Sequence, residues 1–405
     1  MAELRTVRIR DLGRVVTGKT PPSSQPELFG ELHPFLTPTD IDGFARYIEP
    51  ARFLSPEGRD YQHRLMLPEH AVCVVCIGAT IGKVCMTGRP SFTNQQINSV
   101  VVNGDEHDPF FVYHLLTTFR DELKSNAGGA ATPIINKTAF SDIEVRVPPL
   151  PIQRRIAGIL SAYDELIENS QRRIKILEAM ARALYREWFV HFRFPGHEAV
   201  PRVPSPLGEI PKGWEVKKLG DIAENMRRNV MKGEIKEPTP YVGLEHIPRR
   251  SLALDDWETA VELGSNKLAF KKGEVLFGKI RPYFHKVSVA PFDGLCSADT
   301  IVIRARRPEQ YAIVVACVSS DAFVAEASAT ANGAKMPRAN WGVLEKYQVV
   351  VPGGEVAAKF SVLFADIIAQ QQALIFQAQN LRRTRDLLLP RLLSGQIDVE
   401  ALDHA

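Results

Sequence analysis

The sequence has no run of 18 consecutive apolar residues, so no bilayer-spanning helix is expected. Cysteine is scarce, five in 405 residues and odd in number, which argues against a disulfide framework and fits a reducing compartment. The opening MAELRTVRIRDLG lacks the apolar core of a secretion signal, so a cytoplasmic location with no membrane is the expectation. A surplus of one charge is also missing. The formal net charge is +3, with 15 basic against 17 acidic residues in 1–152 and 22 against 19 in 196–352. No segment announces nucleic acid by charge alone, so any DNA contact must rest on local clusters. What is present is ordinary for a globular chain, 45% hydrophobic and 24% charged residues, and the length suits two to four domains.

The informative feature is that the chain is written twice. NAGGAATPIINKTAFSDIEVRVP (Asn126–Pro148), shifted by 204, lies over TANGAKMPRANWGVLEKYQVVVP (Thr330–Pro352). Gly129 meets Gly333, Pro133 meets Pro337 and Asn136 meets Asn340. The alternating Ile143, Val145 and Val147 meet Tyr347, Val349 and Val351, the pattern of a half-buried strand closed by proline. Upstream, Leu12-Gly13 aligns with Leu219-Gly220 at +207, and Ile81-Gly82-Lys83-Val84 with Phe284-His285-Lys286-Val287 at +203. Strand candidates Ser99–Val102 and Thr300–Ile303 follow.

Each copy leads into a seam of +4 and +3 steps, the spacing of a packed helix stripe. The first seam is Ile156, Leu160, Tyr163, Ile167, Ser170, Ile174, Leu177, Ala181, Leu184 and Trp188. The second is Phe360, Phe364, Ile367, Gln371, Leu374, Ala378, Leu381, Arg385, Leu388 and Leu392. A long helix with one apolar stripe needs a partner, and the other copy is the obvious one. The expected fold class is α+β: two similar mixed α/β domains (1–150 and 214–352) spaced by two long antiparallel helices (151–194 and 353–396) that form a coiled coil. Residues 195–213, rich in proline, read as a stiff extended linker. Trp188, Phe189 and Phe192 read as core. The basic runs Arg172-Arg173-Lys175 and Arg382-Arg383-Arg385 read as solvated faces.

Two related but different domains on a helical spacer suit two nearby sites on duplex DNA. Candidate contacts are polar residues in loops bounding the expected strands. In the first copy they are Lys83, Arg89, Ser91, Thr93, Asn94, Gln95, Gln96 and Lys137. In the second they are Lys279, Arg281, Tyr283, Lys286, Lys335, Arg338 and Asn340. Arginine suits guanine edges, asparagine and glutamine suit adenine edges, and lysine mostly holds phosphate.

Several strings carry a resemblance: LGRVVTGKTPP, ATIGKV, KIRPYFHKV, VPPLPIQRRIAGILSAYDELIENSQRRI, LYREWFVHFRF, LGEIPKGWEVKKLGDIAE and RDLLLPRLLSGQI. The chain resembles the specificity subunit of a Type I restriction-modification system over nearly its whole length. The resemblance implies two target recognition domains, each reading half of a bipartite, asymmetric double-stranded DNA sequence. It implies helices that dock two modification (methyltransferase) subunits, with a restriction subunit able to join. It also implies a chain without catalysis or cofactor of its own, S-adenosylmethionine being expected in the methyltransferase subunits. VPGGEVAAKF, where the first copy has VPPLPIQRRI, departs from the pattern at the second helix entry.

Other signals in the sequence point to different chemistry. GRVVTGKT (Gly13–Thr20) matches a phosphate-binding loop and supports a rival NTPase reading, but a charged segment precedes it and Pro21-Pro22 follow at once. Cys73 and Cys76, with His70 and Cys85 nearby, have zinc-like spacing but sit in AVCVVCI, where a buried strand sends them to opposite faces. No metal site is expected. Glu234-Ile235-Lys236 lacks the partner that a nuclease needs, and Val147-Pro148-Pro149-Leu150 lacks the polar and aromatic ends of a methyltransferase tetrapeptide. A coiled-coil protein adaptor is the remaining rival.

Overall fold

The computed structural model describes residues 4–41, 45–126, 133–235, 237–262, 264–333 and 335–399. Gly129 and Lys236 lie outside them. The chain divides into two compact units, residues 1–168 with 380–405, and residues 169–379.

In the first unit Arg5–Arg8 pairs antiparallel with Glu144–Val147. A one-turn helix, Ile9–Leu12, follows, its Asp11 carboxylate accepting from the Arg8 backbone N–H at 2.8 Å. A four-stranded antiparallel sheet then runs in the order Gly13–Thr17, Ile97–Val102, Val72–Val75, Val84–Met86. A smaller sheet contains one parallel pair, His33–Leu36 beside Phe92–Thr93. The helix Pro109–Thr118 packs its apolar face into the same core as Val72, Val84 and Val100.

The second unit repeats this plan. Glu215–Lys218 pairs with Gln348–Val351, and the following one-turn helix Leu219–Ile222 is capped by Asp221 on the Lys218 N–H at 2.9 Å. Its four-stranded sheet is Ala223–Asn225, Thr300–Ala305, Val275–Gly278, Val287–Val289. A five-stranded sheet holds the one parallel pair, Thr239–Val242 beside Gly294–Cys296. The apolar helix Tyr311–Val318 is buried from Ala312 through Val318.

The repeat therefore extends to individual hydrogen bonds, and it corrects one alignment. Asp11 and Leu12 correspond to Asp221 and Ile222, a shift of 210, because the capping carboxylate is the shared element. The Leu-Gly match at 207 is a coincidence of letters.

The long helices are Leu150–Tyr185 and Gly354–Leu393. Within the first unit, Ile152, Ile156 and Leu160 share a core with Leu392, and Leu388 packs on it. Asp164 meets Arg385 at 2.6 Å. Numbers rise on one helix as they fall on the other, so the pairing is antiparallel. The buried place expected for Tyr163 belongs to Asp164, and Tyr163 is half-buried. Arg385 is correspondingly not a solvated residue, since it is needed opposite that carboxylate. Leu381 and Leu388 are half-buried. Within the second unit, Ile174, Leu177, Ala181 and Trp188 pack in one core with Phe360, Phe364, Ile367 and Leu374. Ser170 and Gln371 are buried, and Leu184 is half-buried.

The first long helix ends in a wider turn, Arg186–Val190. Phe189 stacks its edge on Phe360 at 4.7 Å and lies 5.5 Å from Trp214. The stretch expected as an extended linker is instead a hairpin, Arg202–Ser205 with Gly208–Pro211. Gly208, at φ +96°, supplies the left-handed turn, and Trp214 ties the hairpin's exit to Phe189, Phe192 and Phe194. Among the described residues no single helix is long and apolar enough to cross a membrane.

Candidate nucleic-acid interface

Each unit carries its candidate residues on loops that spring from one sheet edge, stitched by the same bonds. In the first unit Ile77 bridges Ile134, with Gly78 N–H on the Pro133 carbonyl at 3.0 Å and Ile135 N–H on Cys76 at 2.9 Å. In the second, Ile280 bridges Arg338, with Arg281 N–H on Pro337 at 2.8 Å and Ala339 N–H on Lys279 at 2.9 Å. Asn136 and Asn340 then cap the next short helices, their side-chain oxygens accepting from Ala139 and Gly342, each at 2.9 Å. The cap explains why asparagine recurs at this place. Asn340→Ala should therefore cost about 1 kcal/mol, with Asn340→Ser close to wild type, measured by urea unfolding. A stable alanine variant would count against the cap.

The structure separates the expected contacts into two groups. Several are spent internally. Lys83 Nζ donates to the Ile41 carbonyl at 2.6 Å, and Lys286 Nζ donates to the Leu244 carbonyl. Asn94 and Gln96 bond to each other, amide to amide at 2.9 Å and amide oxygen to backbone N–H at 3.1 Å. Ser91 and Thr93 are buried. Lys279 Nζ donates to the Ala298 carbonyl at 2.7 Å, and burial pulls its pKa down.

The others face outward. Arg89 is exposed and lies 3.4 Å from Glu49. Gln95 accepts from the Thr20 hydroxyl at 2.7 Å, leaving its amide N–H groups outward. Lys137 and Lys335 are exposed. Tyr283 is exposed, with its ring 4.9 Å from Phe284. Arg281 is half-buried at φ +51°, its guanidinium 6.0 Å from the Phe284 ring.

In the second unit Lys279, Arg338 and Asn340 come together on a polar cleft of about 330 Å³. Asn225, Arg227 and Asn332 complete it, and Asp299 sits within 3.6 Å of Arg338. Such a cleft offers cationic donors for base edges and phosphates, with asparagine amides and one carboxylate among them. Arg249, 4.1 Å over the Phe284 ring, extends the cationic surface.

In the first unit the outward cations rest on aromatic faces. Arg52 lies 4.5 Å from the Phe29 ring and 5.5 Å from Phe35, Arg89 lies 5.8 Å from Phe53, and Lys19 lies 5.6 Å from Tyr61. Burial, then the charges of Arg59 and Arg89, lower the His33 pKa, so these cations share one local field. Arg52, Arg59, Arg227 and Arg249 were not singled out in the sequence. The repeat gave no signal for them: Arg249 is Arg46 shifted by 203, but Met86 N–H bonds to the Arg46 carbonyl and Val289 N–H to that of Leu252, so Leu252 takes the place of Arg46.

The phosphate-loop match at Gly13–Thr20, already at odds with Pro21-Pro22, does not have the geometry of such a loop. Gly13–Thr17 is a strand rather than a loop. Lys19 N–H bonds to the Thr93 carbonyl at 3.0 Å, and a Cβ at Gly18 would lie 2.2 Å from that same oxygen. No helix N-terminus follows to receive phosphate, because Pro21-Pro22 lead to a turn. All five cysteines are buried and free, and Cys73 and Cys85 face each other across paired strands.

Comparison with known proteins agrees with this architecture. Residues 1–179 match the Type I restriction modification DNA specificity domain. The Type I restriction enzyme MjaIX specificity subunit of Methanocaldococcus jannaschii is 27% identical over 415 residues, covering 98% of this chain and 94% of its own. Over nearly its whole length the chain is thus similar to a Type I restriction enzyme specificity subunit, and over its first 179 residues to the family's DNA specificity domain. The HindI specificity subunit of Haemophilus influenzae is 33% identical over 178 residues, 42% of this chain and 38% of that one. The crystal structure of the S subunit from M. genitalium has the same fold, with a TM-score of 0.60 and 14% identity over 96% of each chain. The two units differ in the cation-on-aromatic surface of the first and the polar cleft of the second.

Proposed function

We infer that this chain is the DNA sequence-specificity subunit of a Type I restriction-modification complex. It reads a bipartite, asymmetric target, one half through each unit, and brings modification subunits to it. The observation that carries this reading is duplication with divergence. The same strands, caps and loop bridges recur in both units, while the side chains on their rims differ.

On this reading Arg52, Arg89, Lys19, Gln95 and Lys137 serve one half-site. Arg227, Arg281, Tyr283, Lys335 and Arg338 serve the other, with arginine on guanine edges or phosphates and the glutamine amide on adenine. The chain itself makes and breaks no bonds. S-adenosylmethionine and the methyl transfer belong to two modification subunits, and a restriction subunit joins them in the cytoplasm where the DNA is. Exposed apolar side chains on the long helices, Ile176, Met180, Val362 and Leu387 among them, support docking there.

Exchanging residues 1–150 for another member's first domain should change one half of the methylated sequence and leave the other half intact, read by mapping methylated adenines in cells carrying the whole system. An unchanged map would overturn the reading. Binding by the assembled complex should also weaken steeply with salt as phosphate contacts release counterions.

A further inference from the structure

Lys83 and Lys286 look like phosphate contacts in the sequence, yet both ammonium groups point inward. Each sits one residue past a left-handed turn position. Gly82 holds that position at φ +81° in the first unit and His285 at +53° in the second. Each lysine's carbonyl closes the adjoining hairpin, accepting from Val75 and Gly278 N–H groups at 2.9 Å. The side chain then crosses to the loop that follows the parallel strand, Ile41 in one unit and Leu244 in the other. Lysine and acceptor are separated by 42 residues in both.

That loop is tied onward to the candidate interface. In the second unit Val242, the strand residue just before it, accepts from Ser297 N–H at 3.1 Å, and the segment 297–299 is bound to Lys279 through Ala298 and Asp299. Asp299 and Lys279 are both walls of the polar cleft. In the first unit Leu36 accepts from Asn94 N–H at 3.1 Å, and the next residue, Gln95, carries the outward amide. One ammonium per unit thus fixes the loop against the turn and, through it, the reading side chains. Burial lowers the Lys286 pKa, consistent with an ammonium facing protein rather than solvent.

We propose that Lys83 and Lys286 are positioning residues, each setting the loop geometry through which one unit discriminates its half-site, and that neither touches phosphate. The proposal rests on the DNA-reading function above. Its test uses the complex assembled with its modification subunits, selecting on a duplex library randomised in both half-sites, at 50 to 200 mM salt.

Lys83→Met should reduce discrimination in one half-site by about 10-fold, on the scale of a single misread base pair, and leave the other half-site as in wild type. Lys286→Met should do the reverse. The salt slope should stay at the wild-type value in both. The intact half-site reports that the complex is folded, Lys83→Ala is read the same way if the methionine variant fails to assemble, and Lys83→Gln, which keeps a donor, should hold discrimination closer to wild type. Three results overturn the proposal. One is a slope reduced by about 0.9 with uniform weakening across sequences, the mark of a lost phosphate contact. The second is lowered thermal stability with unaltered base preference. The third is both half-sites relaxing together. If the wild-type complex shows no bipartite preference, the functional reading falls first, and the lysines with it.

Discussion

Arg385→Ala should destabilise the chain by about 3 kcal/mol or more, because it strands a carboxylate that has almost no access to water. Asp164 is 3% exposed and Arg385 17%, and their atoms meet at 2.6 Å. Both desolvation costs are already met in the folded chain, so deleting one partner leaves the other's cost without its compensation. Asp164→Leu with Arg385→Met together should be more stable than either single change, since neither member of the pair is then left buried without its partner. The contrast is Lys359→Ala, whose partner Glu355 lies exposed four residues away on the same helix, and which should leave the urea midpoint close to wild type. Urea midpoints of these variants decide the matter. A loss below about 1 kcal/mol for Arg385→Ala would mean that solvent reaches the pair.

The second large effect comes from the imidazole beside that pair. His114 is 2% exposed, with Nε2 3.3 Å from the second oxygen of Asp164. Burial, then the guanidiniums of Arg385 and Arg46, hold its pKa down to about 3, against 6.5 in an unfolded chain. The folded imidazole is therefore neutral while the unfolded one takes up a proton as pH falls below 6.5. Stability is complete above that value and is lost on acidification at about 1.4 kcal/mol per pH unit, or roughly 2 kcal/mol by pH 5. Burial raises the Asp164 carboxyl against the pull of Arg385, so that group works in the opposite sense at lower pH. The clean reading is the difference between wild type and His114→Gln, which should shrink by roughly 2 kcal/mol between pH 7 and pH 5. A difference independent of pH would show that His114 protonates in place.

Much of this architecture could be read from the letters because helical seams and strand alternation are periodic. Phe360, Phe364 and Ile367 could be placed on a buried stripe with no knowledge of what covers them. The seam's polar residues were harder. Arg385 looked like part of a solvated basic run, and only the facing helix reveals the carboxylate that draws it in. The shift between copies was clear around Lys83 and Lys286. It slipped near Asp11, where a shared backbone cap mattered and a repeated Leu-Gly did not. The direction of a lysine was the least legible property. GKV and HKV place the ammonium at a loop, but whether it turns to phosphate or to the Ile41 carbonyl depends on a parallel pairing of two-residue extent. Arg52 on Phe29 was invisible for the same reason, since such short strands leave no period to recognise.

The turn shared by the two units also differs in how much variation it can absorb. Its left-handed positions are glycines 78 and 82 in one unit, Arg281 and His285 in the other. A Cβ at Gly78 would meet nothing nearer than the Gln96 amide at 3.7 Å, whereas one at Gly82 would lie 2.8 Å from the Arg120 backbone. Position 78 is thus an unfurnished socket on the rim proposed to read DNA. There a descendant of this protein could gain a new base-reading group for only the modest strain of a left-handed residue, while its neighbour four residues on is walled in.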